Sequence, residues 1–229
     1  YHELEMIMQT IDLCDIIKIR KISDGIKLES TDKKLPTDNN NFAYQAAELI
    51  LNEAGITEGV KIKIIKKIPA AAGLAGGSSD AAAVLKGINL LFGLDIKYNI
   101  LQDLGSKIGS DVPFCIRGGT ALASGIGTSL KQLPDIPSEI IVLINPPAEV
   151  KTSRIYQEYD NYTPELDIPT SHLIDSIKSG KIKWDEGWGN ELELITTRLI
   201  KDISIIKNIL KKKDVKYISM TGSGPTIYA

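Results

Sequence analysis

Pro69-Ala-Ala-Ala-Gly73-Leu-Ala-Gly76-Gly77-Ser78-Ser79-Asp80-Ala81-Ala82-Ala83 is the stretch on which the reading of this chain turns. Gly73, Gly76 and Gly77 carry no Cβ, so the backbone can adopt positive φ and let another group come close. Ser78, Ser79 and Asp80 are N-cap residue types, and Ala81-Ala-Ala-Val-Leu85 begins a strong helix former. A helix that starts after such a loop collects free N–H groups at the positive end of its dipole, which is what a phosphate needs. Gly and Ser before a helix are often only a connection and a cap. An ordinary connection, however, runs about 2–6 residues and has no need of so uniform a run of small side chains. The loop is not a Walker A motif, because no Lys follows the last Gly pair. Its glycine spacing also differs from G-x-G-x-x-G.

Around the loop the chain alternates strands and helices without strict βα order, so the expected class is α+β. Residues 5–20 read as a strand or strand pair around Asp12–Asp15. Ile16–Arg20 and Ile26–Ser30 flank Ser23-Asp24-Gly25, a hairpin signal. Phe42, Ala46, Leu49, Ile50 and Ala54 recur at helical spacing behind the Asp38–Asn41 cap cluster. Val60–Ile68 alternates as a half-buried strand whose lysines read as its solvated face. The loop helix runs to about Phe92, and a short helix follows over 99–108. Two short strands are expected around the glycine turn within Gly118–Gly127, and Asp135-Ile-Pro137 reads as a linker. Ile140–Ile144 reads as a buried strand, 171–179 and 190–212 as helices, and Lys216–Met220 as a strand leading into Thr221-Gly-Ser-Gly-Pro225. Trp184 and Trp188 read as structural.

The 229 residues allow one large or two small domains. Hydrophobic content of 43% and a formal net charge of −2 fit a globular protein with no electrostatic pull toward nucleic acid or acidic membrane. No apolar run is long enough to span a bilayer. Cys14 and Cys115 are too few and too far apart for a metal knuckle or disulfide framework, and read as reduced core thiols. Both ends look cut: Tyr1 begins without a methionine, and Thr226–Ala229 stops inside a strand-like run.

Three further places could carry chemistry. Asp111 lies between Gly109 and Pro113. An Asp there is commonly a turn former or cap; the alternative is a general base that accepts a hydroxyl proton in phosphoryl transfer. Thr221–Pro225 is either a plain hairpin or a second phosphate wall, since Gly222 and Gly224 permit close backbone approach. Tyr1-His2 and Tyr156, taken alone, are surface or packing residues.

Together these pieces resemble the GHMP kinase superfamily. Pro69–Ala83 is similar to its phosphate-binding motif and Met220–Pro225 to its C-terminal glycine motif. Tyr1–Asp12, Ile108–Phe114 and Gly118–Gly127 resemble, more narrowly, the branch that acts on a cytidyl diphosphate substrate. The resemblance implies two domains: a ribosomal protein S5 domain 2-like N-terminal domain over 1–137, and a ferredoxin-like C-terminal domain over 138–229. It places the active site in the cleft between them. The implied activity is ATP-dependent phosphorylation of a tertiary hydroxyl on the route to isoprenoid precursors. Asp111 would be the base. Pro69, Ala70, Ala71, Ala72, Gly73, Leu74, Ala75, Gly76, Gly77, Ser78 and Ser79 would wrap the ATP phosphates, with Asn41 helping to hold the nucleotide. Tyr1 and Tyr156 would sandwich the cytosine and His2 would bond its edge, with Thr152, Gly222 and Ser223 near the same pocket. Mg²⁺ is expected with ATP, its protein ligand being open. A cytoplasmic bacterial monomer or homodimer, without nucleic acid or membrane partners, is expected.

Two departures from the family pattern carry expectations. Ala75 stands where many relatives have glycine, so its φ is expected to be negative. The family's catalytic lysine is placed upstream of Tyr1, so the chain as written is expected to be catalytically weak or dead. Mevalonate or homoserine kinase activity, or a non-catalytic nucleotide-binding module, are the competing readings.

Overall fold

The computed structural model describes residues 3–161, 170–182, 188–213, 215 and 217–229. Tyr1, His2 and Trp184 lie outside them. The chain divides into two compact units, Tyr1–Ala70 with Ala75–Gln132, and Ala71–Leu74 with Leu133–Ala229. The tip of the glycine loop is thus part of the second unit and its two ends are part of the first.

The first unit contains β1 (Leu4–Gln9), β2 (Ile16–Ile22), β3 (Ile26–Ser30), α1 (Phe42–Glu53), β4 (Gly59–Ile65), α2 (Gly76–Phe92), α3 (Tyr98–Ser106), α4 (Val112–Arg117), β5 (Thr120–Gly125) and β6 (Ser129–Leu133). These strands form two three-stranded sheets, β1-β5-β6 and β2-β4-β3. The hairpin expected at Ser23–Gly25 does not pair its own strands: β4 lies between β2 and β3, antiparallel to the first and parallel to the second. Gly59 permits this, because a Cβ there would stand 2.2 Å from the Gly25 carbonyl oxygen. The Val60 N–H donates to that same oxygen at 2.9 Å. A parallel β3/β4 pair requires a crossover, and α1 supplies it.

β4 alternates as expected, with Val60, Ile62 and Ile64 fully buried. They meet Ala43, Ala46, Ala47 and Ile50 of α1 and Ala81, Ala82, Val84, Leu85 and Ile88 of α2 in one core. Each large aliphatic side chain buried here contributes roughly 1.5–3 kcal/mol. Alanines at the α1–α2 contact let the two helices close on each other, and Gly87 of α2 lets Ile19 of β2 in, a Cβ there being 2.6 Å from Ile19 Cδ1. The cap reading holds for α1: Asn41 Oδ1 accepts from Ala43 N at 2.9 Å. The glycine turn between β5 and β6 is present, with Gly125 and Gly127 both at positive φ.

The second unit contains β7 (Leu143–Ile144), α5 (Thr152–Asp160), α6 (Thr170–Lys178), α7 (Glu191–Leu199), α8 (Asp202–Lys211), β8 (Ser219–Met220) and β9 (Ile227–Tyr228). Its sheet runs β7-β9-β8, and Ile155, Ile195, Ile203, Met220 and Ile227 fill its core. Two expectations fail here. Leu143–Ile144 form the strand and Val142 exchanges backbone bonds with Ala229 at 2.8 and 3.0 Å, but the segment is not buried as expected, Ile140 being 94% exposed. The 190–212 helix is two helices, broken at Ile200, whose backbone is extended. Nor are both thiols core residues: Cys14 is exposed and Cys115 only half-buried.

Candidate active site

The N-terminus of α2 is open. Its cap residue, Ala75, offers no side-chain bond, so the first-turn amides face no protein acceptor of that kind. Ser79 bonds inward, its N–H to the Ala75 carbonyl at 2.8 Å and its hydroxyl to the Gly76 carbonyl at 2.8 Å. The remaining leading N–H groups and the helix dipole are the components of an anion site.

The expectation of negative φ at Ala75 is wrong: φ is 49° and ψ 29°, left-handed. Ala71 takes φ 51° as well. An L-residue with a Cβ loses roughly 1–2 kcal/mol in that region. The turn into α2 needs the left-handed step, and Ala carries it with strain that Gly would not have. Ala75→Gly is therefore expected to stabilise the protein by up to about 1 kcal/mol, the freedom of Gly in the unfolded chain offsetting part of the relief. Chemical denaturation of the two proteins reads this directly, and a lower midpoint for the Gly variant would contradict it.

Asp111 is the residue before α4 and stands as its N-cap position, without a side-chain capping bond. Its carboxyl is half-buried, and burial pushes its pKa above the usual aspartate value against a stabilising bond with Ser110. α4 packs on α2 and α3. Gly105 allows the close approach of α3, a Cβ there being 2.7 Å from Val112 Cγ1. Phe42, at the start of α1, lies against both motifs: a Cβ on Gly77 would be 3.7 Å from its ring and one on Gly109 3.3 Å. Asn41 places Phe42 by capping α1, and its Nδ2 donates to the Pro36 carbonyl at 2.8 Å. The amide is thus engaged inside the fold at both ends. In the sequence Phe42 reads only as the first residue of the apolar face of α1, because an aromatic at a helix start carries no chemical signature.

In the second unit the loop tip meets the other glycine turn. Thr221 Oγ1 donates to the Gly73 carbonyl at 3.0 Å, and the Thr226 N–H donates to the Ala72 carbonyl at 3.4 Å. A Cβ on Gly222 would stand 3.2 Å from Gly73 O. Thr152 Oγ1 and Ser223 Oγ are 2.9 Å apart, and half-buried Tyr156 follows Thr152 by one turn of α5. So Gly73, Thr152, Tyr156, Gly222 and Ser223 are brought together. Asn190, missed in the sequence, organises this turn. Its Nδ2 donates to the Met220 and Gly222 carbonyls at 2.8 and 2.7 Å while its Oδ1 caps α7.

The lysines of Val60–Ile68 are not all solvated. Lys61 reaches outward to Glu29. Lys66 is buried between Asp15 and Asp80. Burial pushes the Asp80 carboxyl up to about 7, with Lys66 opposing and Asp15 adding to the shift. Burial also raises the Asp15 carboxyl, but its bonds from Lys66 and from the Lys67 and Ile68 amides outweigh that and hold it low. Among the described residues no group of three His, Cys, Asp or Glu side chains could hold a metal ion.

The N-terminal domain of GHMP kinases matches residues 41–119. A 4-diphosphocytidyl-2-C-methyl-D-erythritol kinase from Caldicellulosiruptor saccharolyticus is 44% identical over 230 residues, covering all of this chain and 79% of the relative. A crystal structure of a 4-(cytidine 5'-diphospho)-2C-methyl-D-erythritol kinase superposes with a TM-score of 0.81 at 31% identity, over all of this chain and 81% of that one. A homoserine kinase from Cytophaga hutchinsonii shares the fold, with a TM-score of 0.76 at 21% identity over 94% of this chain and 75% of its own.

Proposed function

Because the chain belongs to the 4-diphosphocytidyl-2-C-methyl-D-erythritol kinase family of GHMP kinases, we propose that it transfers the γ-phosphoryl group of ATP to the 2-hydroxyl of that cytidyl substrate. The observation that carries the chemistry is the pairing of an uncapped α2 N-terminus with a half-buried carboxyl at the head of α4, which packs on α2. The amides of Gly76–Ser78 offer fixed dipoles to phosphate oxygens, so little reorganisation is needed as charge spreads in the transition state. Asp111, made more basic than an exposed aspartate by burial, accepts the hydroxyl proton. Pro69–Ser79 is assigned to the phosphates, and Asn41 contributes through the cap that sets Phe42. Thr152, Gly222 and Ser223 are assigned to the substrate. Tyr1, His2 and Tyr156 are assigned to its cytosine, where aromatic faces suit a flat base.

The open helix end fits a polyphosphate. The absence, among the described residues, of a three-ligand cluster fits Mg²⁺ held mostly by phosphates and water. Bound there, Mg²⁺ would offset phosphate charge. We place the enzyme in the bacterial cytoplasm, with residues 1–137 as the ATP-binding domain and 138–229 as the second domain. The test supplies the full-length protein with ATP and the cytidyl substrate, mevalonate or homoserine in parallel. Phosphorylation of the cytidyl compound alone is expected. Turnover of either competitor without it would overturn the reading.

A further inference from the structure

The start and the end of the phosphate loop are joined by one buried ammonium. Lys66 directly follows β4, and its side chain is only 6% exposed. Its Nζ donates to Asp15 Oδ2 and, at 3.1 Å, to Asp80 Oδ2. Asp15 comes from the segment before β2. Its other oxygen, Oδ1, accepts from the Lys67 and Ile68 amides, the latter at 2.9 Å. Those two amides lead into Pro69. On the far side of the loop, Asp80 sits in the second turn of α2, and a Cβ on Gly76 would be 3.0 Å from Lys66 Nζ. The chain therefore leaves β4, makes the loop and enters α2 across a single Asp15–Lys66–Asp80 clip.

This clip is a poor stability device. Two carboxyl groups share one ammonium, and among the described residues Asp80 Oδ1 is buried with no hydrogen-bond partner. A buried carboxylate oxygen without a donor is costly, and well-packed apolar side chains commonly serve stability as well or better. What the triad provides and an apolar cluster could not is direction: it holds two backbone amides at the loop's start and fixes the ammonium against the loop's end. A Cβ at Gly76 would press on that ammonium and on Ile68 Cγ2, each at 3.0 Å, so glycine eases the approach.

We infer that Lys66, clamped between Asp15 and Asp80, is a positioning residue that closes the base of the phosphate loop and thereby sets the affinity for ATP. The inference rests on the reading of Pro69–Ser79 as the ATP-phosphate loop. Lys66→Met leaves two carboxylates facing each other without their cation. Asp15→Asn keeps an oxygen for the Lys67 and Ile68 amides, is the milder change, and loosens the hold on Lys66.

The test measures KM for ATP, KM for the cytidyl acceptor, kcat and thermal midpoint in the full-length enzyme, together with calorimetric binding of ADP. Lys66→Met is expected to raise KM for ATP and the ADP dissociation constant by about tenfold or more, the worth of a hydrogen bond to a charged group. Asp15→Asn is expected to raise both by a few-fold, and the acceptor KM is expected to stay within about twofold in each. A purely structural role would lower the thermal midpoint and the active fraction while leaving KM for ATP and ADP binding by the folded protein unchanged, and that result overturns the inference. If Lys66→Met does not fold, Asp15→Asn decides alone by the same two readouts. Failure of the wild-type protein itself to bind ADP would instead count against the loop's assignment to ATP. The two failures are thus distinguishable.

Discussion

Asp111→Asn is expected to lower kcat by about 10²–10⁴-fold while KM for ATP stays near the wild-type value. The carboxylate and the amide have nearly the same shape, so α4 keeps its start and its packing on α2. Only the proton acceptor is lost. The pH dependence gives an independent check. Burial makes the folded pKa of Asp111 higher than that of an unfolded chain. The base must be ionised to work, so kcat/KM should decline on the acid side at a pH above the ordinary aspartate range, and the Asn variant should lack that limb. Stability moves the opposite way from activity. A carboxyl with a raised folded pKa costs stability wherever it is ionised in the fold. The cost is full above the folded pKa and vanishes below the unfolded one. Asp111→Asn removes that cost, so at pH values above the folded pKa of Asp111 the variant should be at least as stable as the wild type. Retained turnover would show that Asp111 is not the base. Loss of turnover together with a lowered thermal midpoint would point to collapse of the site instead.

The parts of the fold that were readable from sequence are those set by neighbours along the chain. The α1 cap at Asn41, the alternation of β4, the β5–β6 glycine turn and the start of α2 after the glycine loop each depend on residues within about one turn of helix or one hairpin. What was hidden depends on partners far apart. Ser23-Asp24-Gly25 has hairpin chemistry, yet β4 enters between its strands because Gly59, more than thirty residues on, has no side chain to block it. The apolar run Ile140–Val142 has the composition of a buried strand, yet its side chains are exposed, because burial depends on a covering element that no local pattern records.

The same distinction divides the site. Glycine loops and Asp111 announce themselves by residue type, so their chemistry was legible. Lys66 sits in an alternating strand pattern that ordinarily turns lysines to water. Its burial follows from carboxylates 51 and 14 residues away in the sequence. Asn190 and Phe42 act through backbone and ring contacts that no local motif records. Ala75 shows the limit of reasoning from propensity: a methyl group disfavours positive φ, but the loop's geometry imposes it at that point.

That contrast sharpens what is expected at Gly73, which shares positive φ with Ala71 and Ala75 but differs in its surroundings. Gly73→Ala is expected to cost about 2–5 kcal/mol, combining the left-handed penalty with overpacking. A Cβ there would lie 2.4 Å from the Thr221 carbonyl oxygen and 2.9 Å from both the nitrogen and oxygen of Gly224. These are backbone atoms of a tight turn, tied by the Gly224 N–H to Thr221 carbonyl bond at 2.9 Å and held from outside by Asn190. They cannot rotate away as a side chain would. Gly224 is the useful comparison: it too has positive φ, 80°, but a Cβ there would meet side chains and not backbone, Met220 Sδ at 2.4 Å and Thr196 Cγ2 at 3.1 Å. Gly73→Ala should therefore be the more damaging of the two, lowering the thermal midpoint by roughly 5–15 °C at this chain length. It should also raise KM for ATP, since the loop tip must lift off the second turn and lose the Thr221 Oγ1 bond to the Gly73 carbonyl. Ala71→Gly, in the same loop, should leave the midpoint equal or higher. An unchanged midpoint and KM in Gly73→Ala would mean that the two glycine turns do not meet as closely as the structure places them.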